Sequence, residues 1–376
     1  MKLIINTSNI VVGGGIQVSL SFIEELRKFK GNEYHLFLSQ AVARQIEENE
    51  YPDNFKFYHF NCSPASIAKG YKIRQRLNYL ENKIKPDLVF TVFGPAYWKP
   101  KSIHVSGFAN GWCYNPNSIA FRCLSLKRRI NSRLSRIIKN HKIKKADFLI
   151  VETEDAKYKI NKFLHIPTSE IFVVGNTYHP VYAKYRNKLE NGENLVDKTF
   201  RLLVLSAFYP HKNLEIINNV IPLLKEKSEK KFTFYLTIKE EDFKNNFSKS
   251  EYIINLGPQK IENCPELYNK SDALFLPTLL ETFSANYPEA MIMRKPILTS
   301  DLDFAKDICR DAALYFDPLN PEDIANKIIQ LTEDKELYTS LVENGKKQIL
   351  DFETSESRAE KYMSLFAEII SIGIGL

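Results

Sequence analysis

Short apolar runs of strand length alternate with segments of helical period along most of this chain, and that alternation leaves few folds open. Strands are expected at residues 2–8, 33–38, 55–60, 87–93 and 102–107, with helical stretches at 16–29, 40–48 and 67–84 between the earlier ones. The pattern resumes with strands at 146–153, 171–176, 200–207, 233–238, 253–256, 272–278 and 313–317, and with helices at 154–164, from about 213, at 321–331, 335–351 and 355–370. Strands separated by helical crossovers predict parallel sheets with helices on both faces. At 376 residues the chain is long enough for two such α/β domains, each with its own core.

Composition narrows the class further. Apolar residues make up 44% and charged residues 26%, the balance of a globular protein rather than a disordered or membrane-spanning one. No apolar run has bilayer length and the apolar N-terminal stretch is shorter than a signal-peptide core, so a cytoplasmic location is expected. Cys62, Cys113, Cys123, Cys264 and Cys309 are scattered, with no C-x-x-C spacing, and indicate neither a disulfide framework nor a zinc site. The net charge of +7 is unevenly spread: residues 122–145 contain no acidic side chain.

Residues 271–301 carry the chemistry most directly. Residues 272–278 read as a buried strand, Glu281 to Ser284 fall in a turn, and a helix is expected from near Ala285 towards Arg294, with Pro288 in its first turn. A helix N-terminus offers unpaired amides and a positive dipole end, which suit a phosphate. Glu281 precedes the helix and Glu289 lies inside it, where two carboxylates facing the carboxyl ends of parallel strands suit the hydroxyls of a sugar and a ribose. The competing reading makes Glu281 a helix-start charge and Glu289 a solvated surface residue.

This stretch resembles the E-x7-E signature of the retaining glycosyltransferases of family 4. The similarity continues upstream through NLGPQKIENCPELYNKSDALFLPTLLETF and downstream through PILTSDLDFAKDICRDAALYFDPLNPEDIANKI. The resemblance implies the GT-B fold, two Rossmann-like domains facing a central cleft with a C-terminal helix crossing back to the first domain. It implies that Glu281 contacts the transferred sugar, that Glu289 holds the ribose, and that the backbone of Phe283, Ser284 and Ala285 meets the sugar phosphate. The glycine run ending in Gly14 and Gly15, placed after the first strand, is similar to the family's loop that faces the donor phosphate. It is not a G-x-G-x-x-G dinucleotide fingerprint, since Ile16, Gln17 and Val18 follow.

Four positions depart from the family's pattern. Ser284 stands where the family usually has Gly, Ala109 and Asn110 where many members have a His-Asp pair, and Ser206 where an Arg normally accompanies the Lys six residues on. That Lys is Lys212, at a strand-to-helix junction where an ammonium suits a diphosphate. Ser206, near the end of the strand expected at 200–207, and Gly257, just after the strand expected at 253–256, are also assigned to the donor site. Asn110, Trp112 and Tyr114 follow a first-domain strand and are candidate acceptor contacts, with packing of their own loop as the alternative.

The expected domains are 1–183, an acceptor domain, 184–354, a nucleotide-sugar domain, and 355–376, the returning helix, with a linker over 185–198. Asn176 is expected to close the last first-domain strand by bonding the local backbone. Within 122–145, Ile130, Leu134, Ile137 and Ile138 recur at helical spacing among Arg128, Arg129, Arg133, Arg136 and Lys139. Such a helix suits an anionic membrane surface or a phosphate-bearing carrier, or is a solvated face; no motif points to nucleic acid.

Together these imply a retaining hexosyltransferase that moves sugar from a nucleotide diphosphate sugar to a saccharide or lipid-linked saccharide, in cell-surface polysaccharide or lipopolysaccharide synthesis at the inner membrane face. Glu281 and Lys212 are the expected catalytic pair; no Asp-x-Asp motif lies where it could bind a metal, and neither a metal nor another cofactor is expected. The alternatives are a sugar-nucleotide epimerase or phosphorylase of the same fold, and a non-catalytic sugar-nucleotide-binding subunit.

Overall fold

Continuous apolar runs such as residues 88–91 and 273–276 become fully buried parallel strands, as their lack of polar alternation requires. The computed structural model describes residues 1–11, 13–188, 199–248 and 250–374. One sheet contains β1 (Lys2–Asn6), β2 (Glu33–Ser39), β3 (Phe55–Phe60), β4 (Leu88–Thr91), β5 (Ile103–Gly107), β6 (Phe148–Val151) and β7 (Ile171–Val173). Its spatial order is β3-β2-β1-β4-β5-β6-β7, and its pairings are parallel. A second sheet contains β8 (Thr199–Val204), β9 (Lys231–Leu236), β10 (Ile253–Asn255), β11 (Ala273–Leu276), β12 (Ile297–Ser300) and β13 (Ala313–Phe316), in the order β10-β9-β8-β11-β12-β13. Its pairings are parallel as well.

The chain divides into two compact units, Met1–Pro116 with Ile130–Gly175 and Glu353–Leu376, and Asn117–Arg129 with Asn176–Phe352. In the first unit the two-residue period of β1 supplies both faces. Leu3 and Ile5 pack with Phe22 and Ile23 of the helix Gly14–Glu25, while Ile4 joins Leu77, Leu80 and Ile84 of the helix Gly70–Ile84. The second unit repeats the device: Leu202 and Val204 pack towards the helix Ile217–Lys227, and Leu203 towards Tyr268 and Tyr287.

Several boundaries differ from the sequence reading. Strands β1, β4, β6, β7, β8, β9 and β11 end two or three residues earlier than expected; Val92 and Val174, which follow β4 and β7, are buried outside the strands. The strand β12 was not expected; its four residues are buried between helices and too few to show a period. Where a linker was expected, over 185–198, residues 185–188 close the helix Pro180–Lys188, in which Tyr182 is fully buried, and 189–198 lie outside the described residues.

The last helix, Ser355–Ile374, belongs to the first unit. Ala359, Met363, Phe366 and Ile369 share one helical face and join the cluster around Phe22 and Phe90, with the Phe366 and Phe90 rings 5.0 Å apart. Ser355 Oγ donates to Glu25 at 2.8 Å, fixing the start of this helix. Replacing the fully buried Phe366 by Ala is expected to destabilise the first unit by about 3–5 kcal/mol in urea unfolding. A loss below about 1 kcal/mol would show that the helix is not part of that core.

Candidate active site

In an open parallel sheet, ligands bind outside the carboxyl ends of the strands where the strand order reverses, because loops there leave in opposite directions. In the second unit that point lies between β8 and β11. The loop after β8 turns through Pro210–Lys212 and ends on Asn213, whose left-handed φ of 54° is tolerated by its short polar side chain. Asn213 Nδ2 donates to Pro318 O at 2.8 Å and holds that corner.

Two interactions join this loop to the one leaving β11. The Leu279 amide donates to His211 O at 2.7 Å, and the Lys212 ammonium donates to Glu281 Oε1 in an ion pair whose side chains are 15% and 17% exposed. An ammonium has three donors and a carboxylate several acceptor sites, so the pair retains capacity for a ligand on each side. Burial and the neighbouring Lys212 push the His211 imidazole down to about 4, so it is neutral at pH 7; its ring stacks on Tyr209 at 5.7 Å.

The turn then enters the helix Asn286–Ile292, with Ala285 at its N-cap. Tyr287 N donates to Ser284 O and Glu289 N to Ala285 O, so the amides of Ser284 and Ala285 precede the helix's own ladder. Asn286 Nδ2 donates to Leu205 O at 2.6 Å, tying the helix start to the end of β8, and the Phe283 ring meets Phe352 edge-on at 6.2 Å. The result is a cation, a carboxylate and a run of amides around one switch point.

Glu289 departs from the solvated-surface reading. The residue is 5% exposed, with the Tyr268 hydroxyl 3.3 Å from Oε2 and 3.2 Å from Asn286 O. Burial pushes its carboxyl up to about 7, with the Tyr182 and Tyr268 hydroxyls pulling it partly back. Ser206 donates its amide to Thr237 Oγ1 at 3.1 Å and its hydroxyl to Ala207 O at 3.0 Å, and brings no charge to the site. Gly257, with φ 70°, forms a turn after β10, two strands away from β8.

The first unit has its own switch point, between β1 and β4. Asn9 Nδ2 donates to Phe93 O at 2.5 Å and Pro95 O at 3.0 Å, tying the loops that leave these strands. Gly13 has φ 82° and caps the helix that Gly14 and Gly15 open; a Cβ on Gly15 would stand 3.2 Å from the Phe93 ring. Behind them lies a buried polar chain: Asn6 Nδ2 donates to Thr91 Oγ1, which is 3.0 Å from His104 Nε2. Asn110 caps the short helix Gly111–Tyr114, and Trp112 is partly exposed. Tyr114 is corrected from acceptor contact to core, being 1% exposed with its ring 5.9 Å from Phe108.

Sequence reasoning missed Asn9, Tyr268 and Asn286, which hold the site rather than face a ligand. Asn286 stands next to the N-cap, a position that marks it as a tether, whereas nothing near Tyr268 in the sequence points to Glu289. Among the described residues no three His, Cys, Asp or Glu side chains are grouped to hold a metal ion.

Residues 186–348, which contain the β8–β11 switch point, match the family described as Glycosyl transferases group 1. An uncharacterised glycosyltransferase of Methanocaldococcus jannaschii is 30% identical over 154 residues, 40% of this chain and 43% of that protein, so the match spans less than half of that relative. Sucrose-phosphate synthase from Thermosynechococcus elongatus superposes over 99% of both chains with a TM-score of 0.72 at 13% identity. Anabaena HepE, solved in complex with UDP and glucose, covers 97% of this chain and 99% of its own with a TM-score of 0.66 at 14% identity. At these identities the likeness shows the fold, which is GT-B, built from two Rossmann-like α/β domains.

The raised carboxyl of Glu289 has a measurable consequence. The unfolded chain releases this proton near pH 4.5 and the folded chain near 7, so stability falls as pH rises between them, by about 3 kcal/mol in all. The variant E289Q is expected to unfold at higher urea than wild type at pH 8 and to lose that advantage at pH 5. Parallel pH profiles for the two proteins would show that the carboxyl is not held in this way.

Proposed function

We propose that the protein is a retaining glycosyltransferase that moves a hexose from a nucleoside diphosphate sugar to a saccharide or lipid-linked saccharide, in cell-surface polysaccharide synthesis. The observation that carries this reading is the Lys212–Glu281 pair at the β8–β11 switch point, beside the Ser284 and Ala285 amides. The family match over residues 186–348 covers all four residues and supports sugar transfer. The solved complex of HepE with UDP and glucose supports a nucleoside diphosphate and a hexose as the ligand class.

As the bond from the anomeric carbon to the leaving oxygen breaks, negative charge grows on the diphosphate and positive charge on the sugar ring. Lys212 and the turn amides stabilise the first, from fixed positions that need no reorganisation. Glu281 accepts hydrogen bonds from the sugar hydroxyls and orients the ring, and its ion pair keeps Lys212 in place before the donor arrives. Glu289 takes the ribose; with its carboxyl near 7 it accepts a hydroxyl hydrogen bond when ionised and donates one when protonated. Catalysis in this reading is positional and electrostatic, with no protein nucleophile.

Ser206 favours a second reading. With a neutral hydroxyl at that position, Lys212 is the cation at the diphosphate, and a subunit that binds donor without turning it over would have this site. Acceptor-dependent release of nucleoside diphosphate separates the two. For the enzyme, E281Q is expected to stay folded with a lowered melting temperature, because Lys212 loses its ionic partner, and to lose about a hundredfold or more in turnover. Turnover equal to wild type would remove Glu281 from the reaction, and a product with inverted anomeric configuration would overturn the retaining assignment.

A further inference from the structure

The helix Leu126–Ile143 is docked with its amphipathic character reversed. Ile143 is its only buried residue, while the apolar stripe of Ile130, Leu134, Ile137 and Ile138 is 51–63% exposed. The side turned towards the protein is polar: Ser132, Ser135, Arg136, Lys139 and Asn140 are half-buried, and Asn140 Nδ2 donates to Cys113 O at 3.1 Å. An amphipathic helix ordinarily buries its apolar stripe against the core. Here the stripe faces outward, as a contiguous apolar surface does when it meets a partner.

Charge identifies the partner. Between Arg122 and Ala146 there is no acidic residue, and Lys127 and Arg133 are exposed on the side of the helix that carries the stripe. A second copy of the chain placed on this face would bring the same cations against one another. An anionic lipid surface complements both features, taking the apolar side chains below the headgroups and the cations at their level. Lys142, one turn beyond Ile138, lines a cavity of about 330 Å³ with Arg74, Lys99 and the rings of Tyr71 and Trp98, with no carboxylate in its wall. Positive charge thus extends beyond the stripe. No helix among the described residues is long and apolar enough to cross a membrane, so the contact is interfacial.

We infer that Leu126–Ile143 is a membrane-contact helix that lies in the surface of an anionic bilayer with Ile130, Leu134, Ile137 and Ile138 inserted. The inference is independent of the sugar-transfer reading.

The test is sedimentation of the full chain with phosphatidylcholine vesicles, with and without phosphatidylglycerol. Wild type is expected to pellet with the anionic vesicles and to stay in solution with the neutral ones. The double variant L134Q/I138Q is expected to bind the anionic vesicles at least about tenfold more weakly. Its melting temperature should be unchanged, since both side chains are exposed. Binding of the variant equal to wild type, or no pelleting of wild type on anionic vesicles, would overturn the inference. A wild-type dimer in solution that L134Q/I138Q dissociates would also overturn it, by showing that a second copy covers the stripe.

Discussion

The Lys212–Glu281 ion pair is the contact on which the proposed chemistry depends, because it joins two loops that the sheet order drives apart. Strand β8 is followed in sequence by β9 on one side, while β11 pairs on its other side, so their loops leave the sheet in opposite directions. A gap between such loops is what a doubly wound sheet offers a ligand. Left untethered, the loops would place their functional groups imprecisely. The ion pair, the Leu279 amide on His211 O and the Asn286 amide on Leu205 O close that freedom from three directions. Because the pair is largely buried, each partner's charge is compensated before any ligand binds, which matters more than the modest value of an exposed salt bridge.

The two units use the same device with different residues. In the first, a neutral side chain, Asn9, spans the switch point, and a buried chain from Asn6 through Thr91 to His104 supports it. Burial pushes the His104 imidazole down to about 4, so this chain stays neutral at physiological pH. In the second unit the tether is ionic and the supporting layer phenolic, with Tyr268 beneath Glu289 and Tyr287 bonded to Thr299 Oγ1 at 2.8 Å. A neutral tether suits a scaffold role, whereas a charged one supplies the electrostatics that an anionic ligand requires.

Much of the fold was legible because parallel strands buried on both faces must be short and apolar. Phe55–Phe60 and Glu154–Leu164 fall where periodicity placed them, and the cap of Asn320 on Glu322 and Asp323 follows from its side chain. The strand β12 escaped because four buried residues have no measurable period. Glu281 and Lys212, both expected at strand-to-helix junctions, are brought together as an ion pair. The burial of Glu289 was not legible, since it depends on Tyr268, which lies on another helix and has no local signal. Tyr114 was misread for a related reason: a loop aromatic packs inward or faces a ligand according to tertiary neighbours, here Phe108. The helix Leu126–Ile143 shows the limit of amphipathicity, which reports that a stripe exists but not which way it faces.

The most direct measurement is thermal unfolding of wild type and K212A with and without nucleoside diphosphates. A ligand that binds only the folded chain raises the melting temperature by mass action. If the ammonium and the turn amides form the diphosphate site, a nucleoside diphosphate shifts wild type more than the matching monophosphate does, and K212A loses that difference. Equal shifts from the two nucleotides, or a diphosphate shift that survives in K212A, would contradict the assignment of the diphosphate to Lys212.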